Sequence, residues 1–263
     1  MILFIDGLPA APEDLACLAL TNYGAYTSFR VEEGGARGLD LHLARLDASA
    51  VELFGDAVGE DRLRALMRRA LDGRADAWLR VSLFSPRITH RDPTWRGAPQ
   101  VMVGVFDPPP PLAASLRLQV QTHAREAAHL KHTATFSLMR ARRMAREAGY
   151  DDALFVDDQG IISEGSLWNI GFVTGDRVTW PEAPSLAGVT QALIERGLEA
   201  AGMTSGTGPV PLSELRRFQS AFICNSATPA CPVTAIGDHG LEVDADLIAR
   251  LQAAWAWNPI QPI

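Results

Sequence analysis

Lysine is the residue type most suggestive of chemistry in this sequence, because the chain contains only one, Lys131. Of the 24 Lys and Arg residues together, 23 are Arg. Arginine keeps its proton in a protein, whereas a desolvated lysine amine loses its proton readily and then acts as a nucleophile. A primary amine is what a Schiff base with a carbonyl substrate or with pyridoxal phosphate requires. Biased codon use, with one lysine retained by chance, is the alternative explanation.

A carboxylate follows Lys131 at a spacing that suits such a site. Glu164 comes 33 residues later, and one predicted helix and one predicted hairpin lie between the two residues. This connection lets the two side chains converge. An acid beside the ring nitrogen of pyridoxal phosphate keeps that nitrogen protonated, which makes the ring a better electron sink. We therefore predict that Glu164 pairs with this nitrogen, although an isolated glutamate is more often a surface group.

A phosphate-binding set is also present in the sequence. A Gly-x-Thr run opens a predicted helix over residues 191–201, and helix N-termini bind anions through free N–H groups. A hydroxyl-rich turn follows the predicted strand over 221–224, and an arginine on a predicted helix could supply charge. These candidates are Gly188, Val189, Thr190, Ser226, Ala227, Thr228 and Arg45. The alternatives are a simple helix cap at Thr190 and an edge position for Arg45 on its helix.

The elements that would position these residues alternate between strands and helices. Apolar residues recur with a spacing of 4-3-4-3 over residues 39–54, which predicts an amphipathic helix, and residues 78–84 alternate like a strand. A run of four prolines, Pro108 to Pro111, predicts a stiff linker over residues 107–115. We therefore predict an α+β fold with a small N-terminal domain over residues 1–106. A larger C-terminal domain over residues 116–263 would carry the cofactor lysine.

Composition and charge exclude several classes of protein. Hydrophobic residues make up 47% of the chain, enough for a sizeable core, and the net charge of −7 argues against a nucleic-acid surface. The three cysteines have neither disulfide nor zinc-site spacing, and no cluster suggests a metal. The sequence has no signal-peptide pattern and no apolar run of membrane-spanning length. We expect a cytoplasmic protein that binds neither membrane nor nucleic acid.

Several motifs occur in order along about residues 1–240 of the chain. They are Leu41-His42-Leu43-Ala44-Arg45-Leu46, Leu130-Lys131-His132, Ala153-Leu154-Phe155-Val156-Asp157, Ser163-Glu164-Gly165, Asn169-Ile170, Leu186-Ala187-Gly188-Val189-Thr190 and Ile223-Cys224-Asn225-Ser226. As an ordered set, the motifs resemble the class IV aminotransferases. This is the fold-type IV group of pyridoxal phosphate enzymes, which includes branched-chain and D-amino acid aminotransferases and aminodeoxychorismate lyase.

The resemblance implies a fold, a cofactor and a role for each matching residue. The fold would be a two-domain α+β fold with pyridoxal phosphate in the cleft between the domains, and the enzyme would be a homodimer. Lys131 would hold the cofactor as a Schiff base and carry the substrate proton, and Glu164 would pair with the ring nitrogen. Asn169 would support the site. Arg45, Val189, Thr190 and either Thr228 or Ser226 would bind the phosphate.

The sequence departs from the family pattern near the expected substrate pocket. Ala134 and Thr135 stand where many relatives have Asn-Tyr or Asn-Arg. Trp168 stands where many relatives have a small or polar residue, so it would narrow the pocket, unless it packs in the core. The residues that bind the substrate carboxylate are less well defined, and we predict Arg80, Arg30 and Tyr26. For Arg80, capping a sheet edge is the alternative.

Three functions compete on this evidence. The first is an aminotransferase that exchanges an amino group between an amino acid or amine and a 2-oxo acid, and family frequency favours it. The second is a lyase of the aminodeoxychorismate type, which releases pyruvate on the same fold with the same cofactor. The third is a ligand-binding protein without enzymatic activity. The retained pair of Lys131 and Glu164 argues against the third.

Overall fold

Alternating and 3.6-residue apolar repeats build the strands and helices of this chain, and the computed structural model describes all of residues 1–263. In chain order the elements are β1 Ile2–Ile5, β2 Leu8–Pro9, α1 Pro12–Leu20, β3 Gly24–Val31, β4 Gly35–Arg37, α2 Leu39–Phe54, α3 Glu60–Leu71, β5 Ala77–Phe84, β6 Gln100–Phe106, β7 Leu116–Thr122, α4 Phe136–Glu147, β8 Asp152–Val156, β9 Ile162–Gly165, β10 Asn169–Thr174, β11 Arg177–Pro181, α5 Val189–Gly197, β12 Thr204–Gly208, a 3-10 helix Leu212–Arg217, β13 Ser220–Asn225, β14 Thr228–Ile236, β15 His239–Gly240, α6 Ala245–Ala256 and β16 Ile260–Pro262. No helix is long and apolar enough to cross a bilayer.

The first compact unit comprises residues 1–110, 130–134 and 259–263. Its five-stranded antiparallel sheet has the order β2-β1-β6-β5-β3. Alternation along β3 and β5 directs one set of side chains to the core, among them Phe29, Leu79 and Val81. Helix α2 packs on β3 and helix α3 on β6, and the apolar faces of these helices complete that core.

Two short segments from distant parts of the chain join the first unit through backbone hydrogen bonds. Strand β16 pairs with β4 in antiparallel register. The segment that carries Lys131 lies along β3, where an isolated antiparallel bridge joins Ala25 and His132. The amine-bearing residue is therefore anchored to the edge strand of a sheet rather than to a loop.

The second unit comprises residues 111–129 and 135–258 and contains a nine-stranded mixed sheet. The strand order is β12-β11-β10-β13-β14-β7-β8-β9, with β15 added on β14. Helix α4 packs against β8, while α5 and α6 pack against each other. The two helices approach closely at Gly197, where an added Cβ would lie 2.0 Å from the carbonyl oxygen of Ala254.

The division into units differs from the predicted domains in two places. The first break along the chain falls between residues 110 and 111, inside the predicted linker over 107–115. Lys131, expected in the C-terminal domain, belongs to the first unit, and so do residues 259–263. The reason is strand pairing: both segments bond to strands of the first unit, although they are distant from those strands in sequence.

Candidate active site

Lys131 is fixed through its backbone on the edge of the first sheet. The N–H of Tyr26 donates to the carbonyl of Lys131 at 2.8 Å, and the N–H of Thr133 donates to the carbonyl of Gly24 at 2.8 Å. The Thr133 hydroxyl also donates to the carbonyl of Asn22 at 2.6 Å. Glycine is required at position 24, because an added Cβ would lie 2.3 Å from the carbonyl oxygen of Leu83.

The Lys131 amine lies beside an aromatic ring that also contacts an arginine. Its Nζ is 5.1 Å from the ring centroid of Tyr26. The guanidinium carbon of Arg80 lies 3.7 Å from the same centroid, within the range of a cation–π contact. Three residues predicted from the sequence, Lys131, Tyr26 and Arg80, are thus brought together in the first unit.

The two arginines predicted to bind a substrate carboxylate differ in their partners. Arg30 forms an ion pair with Asp76, with a nitrogen–oxygen distance of 2.8 Å, and lies 4.0 Å from Glu32. Arg80 makes no ion pair with a carboxylate of the chain, and its Nε is 3.4 Å from the Ser82 hydroxyl. An arginine beside a half-buried amine and without an acidic partner suits an anionic ligand. The geometry therefore favours Arg80 over Arg30.

A buried histidine that the sequence reasoning gave no role adjoins this cluster. His42 of α2 is 2% exposed, and its Nδ1 lies 2.6 Å from the hydroxyl of Thr27. Its ring centroid is 4.6 Å from that of Phe29. Burial holds the pKa of His42 well below its ordinary value, and the positive charges of Arg45 and Lys131 lower that pKa further. The ring is therefore neutral near pH 7. The sequence offered one signal for a role of His42, which is its position three residues before the predicted phosphate-binding residue Arg45.

The predicted ring-nitrogen partner, Glu164, is held on both oxygens in the second unit. Arg125 donates from Nη1 to Oε1 at 3.2 Å, and the N–H of Leu186 donates to Oε2 at 3.1 Å. Glu164 is 4% exposed. The sequence reasoning missed Arg125, since nothing in the pattern separated it from the other arginines.

The predicted phosphate-binding run begins helix α5. Gly188 is the residue before the helix, and Val189 and Thr190 are its first two residues. An added Cβ at Gly188 would lie 2.0 Å from Oδ1 of Asn169, and Nδ2 of Asn169 donates to the carbonyl of Leu186 at 2.8 Å. Asn169 therefore supports the loop that leads into the helix. The first N–H groups of any helix lack partners within the helix, so this terminus can accept an anion.

The second predicted phosphate-binding group is the turn between β13 and β14. Oδ1 of Asn225 accepts the N–H groups of Ala227 and Thr228 at 3.0 and 2.9 Å. The Thr228 hydroxyl accepts the N–H of Leu112 at 3.1 Å. These two amides are engaged within the turn, so an anion would interact here with hydroxyl protons, including that of Ser226.

Trp168 packs in the core of the second unit, which is the alternative that the sequence left open. It is 3% exposed, and its indole N–H donates to Oδ2 of Asp152 at 3.1 Å. The same carboxylate accepts the Ser166 hydroxyl on Oδ1 at 2.6 Å and lies 3.4 Å from Nε of Arg142. Asp152 thereby fixes the segment that follows Glu164. No contact in the structure supports the predicted role of Trp168 in substrate binding.

Fold and sequence together identify the class of protein. The family model for the class IV aminotransferases matches residues 24–236, which is well over half of the chain. The chain therefore belongs to the class IV aminotransferase family, and the predicted family and α+β fold class are confirmed. Enzymes of this family use pyridoxal phosphate.

Particular relatives are branched-chain and related aminotransferases. A probable branched-chain-amino-acid aminotransferase of Synechocystis sp. (strain ATCC 27184 / PCC 6803 / Kazusa) is 26% identical over 115 residues. That match covers 43% of this chain and 38% of the relative. The chain thus aligns with well under half of the length of this relative.

Solved structures of the same group share the fold over nearly the whole chain. The branched-chain aminotransferase of the thermophilic archaeon Thermoproteus uzoniensis, solved with norvaline, superposes with a TM-score of 0.82 at 20% identity, covering 97% of this chain and 93% of that chain. A hypothetical aminotransferase from Mycobacterium tuberculosis in its PLP-bound form gives 0.78 at 19% identity, covering 97% and 98%. At these identities the likeness establishes the fold alone.

The residues present fit pyridoxal phosphate. Lys131 supplies a half-buried amine, and Glu164 supplies a buried carboxylate already held on two sides. The absence of a side chain at Gly188 lets Asn169 pack directly against the residue before α5. The first unit thus supplies an amine of the kind that an aldehyde requires, and the second supplies a carboxylate and a helix N-terminus of the kind that a ring nitrogen and a phosphate require.

Proposed function

We propose that this protein is a pyridoxal phosphate-dependent aminotransferase that exchanges an amino group between an amino acid or amine and a 2-oxo acid. The observation that carries the proposal is the position of Lys131. The only lysine of the chain is anchored to a sheet edge beside Tyr26 and Arg80, within the region that matches the family model. Chance retention of a surface lysine does not account for that environment.

Lys131 has two tasks in this proposal. It binds the cofactor aldehyde covalently through Nζ, and the same amine, once released, carries the proton at the substrate α-carbon. When bound, the cofactor supplies an electron sink that makes removal of this proton feasible.

The remaining residues bind and orient the cofactor and substrate. Glu164 keeps the ring nitrogen protonated, and Asn169 fixes the loop before α5. The N-terminus of α5, the turn at Ser226 to Thr228 and the Arg45 guanidinium bind the phosphate. Arg80 binds the substrate carboxylate, since it makes no ion pair within the chain and lies on the Tyr26 ring that Lys131 also approaches.

The motifs Leu130-Lys131-His132 and Ile223-Cys224-Asn225 resemble lyase members somewhat, but the comparisons do not support the lyase better than the aminotransferase. The named relatives and neighbours reported above are aminotransferases. The likeness to branched-chain aminotransferases leads us to propose branched-chain amino acids as the first donors to test.

We further propose a homodimer in the cytoplasm. Large apolar side chains lie exposed in the single chain, including Leu8 at 63%, Leu20 at 79% and Phe136 at 77%, and burial between two copies would remove them from water. All three cysteines are free thiols, as suits a reducing compartment. Sedimentation of the purified protein at several concentrations tests the dimer.

The decisive experiment on the function combines capture and turnover. Borohydride treatment of the protein loaded with pyridoxal phosphate should attach the cofactor to the peptide containing Lys131, as read by mass spectrometry. A panel of amino donors with 2-oxoglutarate or pyruvate should then give stoichiometric exchange of amino and keto acids. Release of pyruvate from aminodeoxychorismate, without exchange on the panel, would instead establish the lyase.

A further inference from the structure

Arg125 and Glu164 form a deeply buried ion pair. Nη1 of Arg125 lies 3.2 Å from Oε1 of Glu164, and the two side chains are 8% and 5% exposed. Both residues belong to the second unit, where Arg125 follows strand β7 and Glu164 lies in β9. An arginine so little exposed is not a solvated surface cation.

The pair fixes both the charge and the orientation of the Glu164 carboxylate. A buried arginine keeps its proton, and a positive charge at hydrogen-bonding distance favours the ionised form of a carboxylate. Glu164 therefore stays ionised. The second bond, from the N–H of Leu186 to Oε2 at 3.1 Å, prevents the carboxylate from rotating freely.

The same bonds connect the carboxylate to the predicted phosphate-binding loop. The carbonyl of Leu186 accepts Nδ2 of Asn169 at 2.8 Å, and Oδ1 of Asn169 leaves no room for a Cβ at Gly188. A continuous set of contacts thus runs from Arg125 through Glu164, Leu186 and Asn169 to the residue before α5.

We propose that Arg125 is a positioning residue that prepares Glu164 to receive the cofactor ring nitrogen. This proposal rests on the proposed function, because it requires that the protein binds pyridoxal phosphate. Arg125 acts on the cofactor through Glu164 alone: it holds that carboxylate ionised and in place. A carboxylate has about four acceptor positions, so accepting Arg125 and Leu186 does not by itself saturate it.

The test is a double-variant cycle on cofactor affinity. Five full-length proteins are compared after removal of bound cofactor: the wild type, Arg125→Met, Arg125→Lys, Glu164→Gln and Arg125→Met combined with Glu164→Gln. The dissociation constant of pyridoxal phosphate is measured by equilibrium dialysis, and thermal unfolding of each unloaded protein is followed alongside. Arg143→Met is the matched control, because Arg143 is 78% exposed and pairs only with Glu147.

The expected result is an effect that depends on Glu164. Arg125→Met should weaken pyridoxal phosphate binding about tenfold, the usual scale for one hydrogen bond to a charged group. In the Glu164→Gln background the same substitution should change binding less than twofold. Arg125→Lys should recover part of the loss because it restores the charge, and Arg143→Met should change nothing.

The thermal unfolding data show whether Arg125 acts by positioning Glu164 or only by stabilising the folded protein. Arg125→Met leaves a buried carboxylate without its cation, so this variant should unfold at a lower temperature than the double variant, in which both groups are neutral. If Arg125→Met does not fold, the cycle is repeated with Arg125→Lys, alone and combined with Glu164→Gln. The effect of Arg125→Lys on cofactor affinity should then disappear when Glu164 is replaced by Gln.

Two contrary results have different meanings. A wild-type protein that does not bind pyridoxal phosphate overturns the proposed function. A wild-type protein that binds it, but in which Arg125→Met weakens binding equally in both backgrounds or not at all, overturns only the role of Arg125.

Discussion

The two units of the molecule prepare their site residues in opposite ways. In the first unit, the Arg80 guanidinium has an aromatic ring beneath it and no carboxylate partner. In the second unit, the Glu164 carboxylate is matched by Arg125 and by the N–H of Leu186. Arg80 thus presents a charge that no carboxylate of the chain neutralises, whereas Glu164 is paired with a cation of the protein.

This difference separates the groups that should act on substrate from those that should act on a resident cofactor. Substrate arrives and leaves in every turnover, so a site for its carboxylate must be open and cationic beforehand. A residue that contacts the cofactor works best when it is preorganised, because it then needs no reorganisation when the cofactor binds. The comparison predicts that substitution of Arg80 mainly changes substrate affinity, and that substitutions around Glu164 mainly change cofactor retention.

The largest effect is expected at Lys131. Lys131→Ala should lower turnover with any amino donor at least about 10³-fold, because the loss of a positioned acid–base group alone typically costs 10²- to 10⁴-fold. The fold should survive, since the segment is held by backbone bonds to Tyr26 and Gly24. Circular dichroism and steady-state kinetics check both points. Turnover near the wild-type level would remove Lys131 from the chemistry.

Arg80 and Arg30 give a matched pair of substitutions in the first unit. Arg80→Met should raise the KM for the carboxylate-bearing substrate about 10- to 100-fold, the scale of a lost hydrogen bond between charged groups. Arg30→Met should change KM less than twofold, because Arg30 already pairs with Asp76. Initial rates over a range of 2-oxo acid concentrations distinguish the two. Equal effects of both substitutions would contradict the contrast drawn between them.

A substitution at Gly188 tests whether the packing of Asn169 before α5 matters for stability and cofactor binding. Gly188→Ala places a Cβ 2.0 Å from Oδ1 of Asn169, so Asn169 must move and its bond to Leu186 weakens. Overpacking of this kind costs about 1–3 kcal/mol of unfolding free energy, and cofactor affinity should fall with it. Urea unfolding and equilibrium dialysis measure the two. Gly208→Ala is the control, because nothing lies within 4 Å of its added Cβ.

The sequence predicts most elements whose apolar pattern is strong. The helix over residues 39–54 has the predicted bounds, and β5 begins one residue before its predicted start. Helix α1 was not predicted, because none of its residues is buried and it has no apolar face for the sequence to show. Strand β14 was missed because Pro229 and Pro232 lie within it, and proline argues against a strand.

The sequence does not show which distant segments pair with a strand or which arginines are buried. Nothing local indicates that Lys131 bonds to β3, because that contact spans about a hundred residues. Lys131, Glu164 and the Gly188 run could be chosen as candidates because each lies in a motif that resembles the family, and their roles stay predictions. Arg125 could not, because 23 arginines offer the same side chain and only burial separates this one from the rest.

The smallest effect is expected at His42, and it concerns pH. The pKa of His42 is lower in the folded chain than in the unfolded chain, where it is about 6.5. At pH values between the two, His42 is protonated in the unfolded chain and neutral in the folded chain. Stability therefore does not depend on His42 above pH 6.5, and it falls as the pH drops below that value, by at most about 1.4 kcal/mol per pH unit.

His42→Asn should flatten this part of the curve, as measured by urea unfolding between pH 5 and pH 8 (roughly the range in which histidine titrates). His123→Asn is the comparison variant, because burial also lowers the pKa of His123, in the second unit. His123 is less buried, so its substitution should flatten the curve less. An unchanged slope in His42→Asn would mean that burial and the charges of Arg45 and Lys131 do not lower the pKa of this ring as the structure indicates.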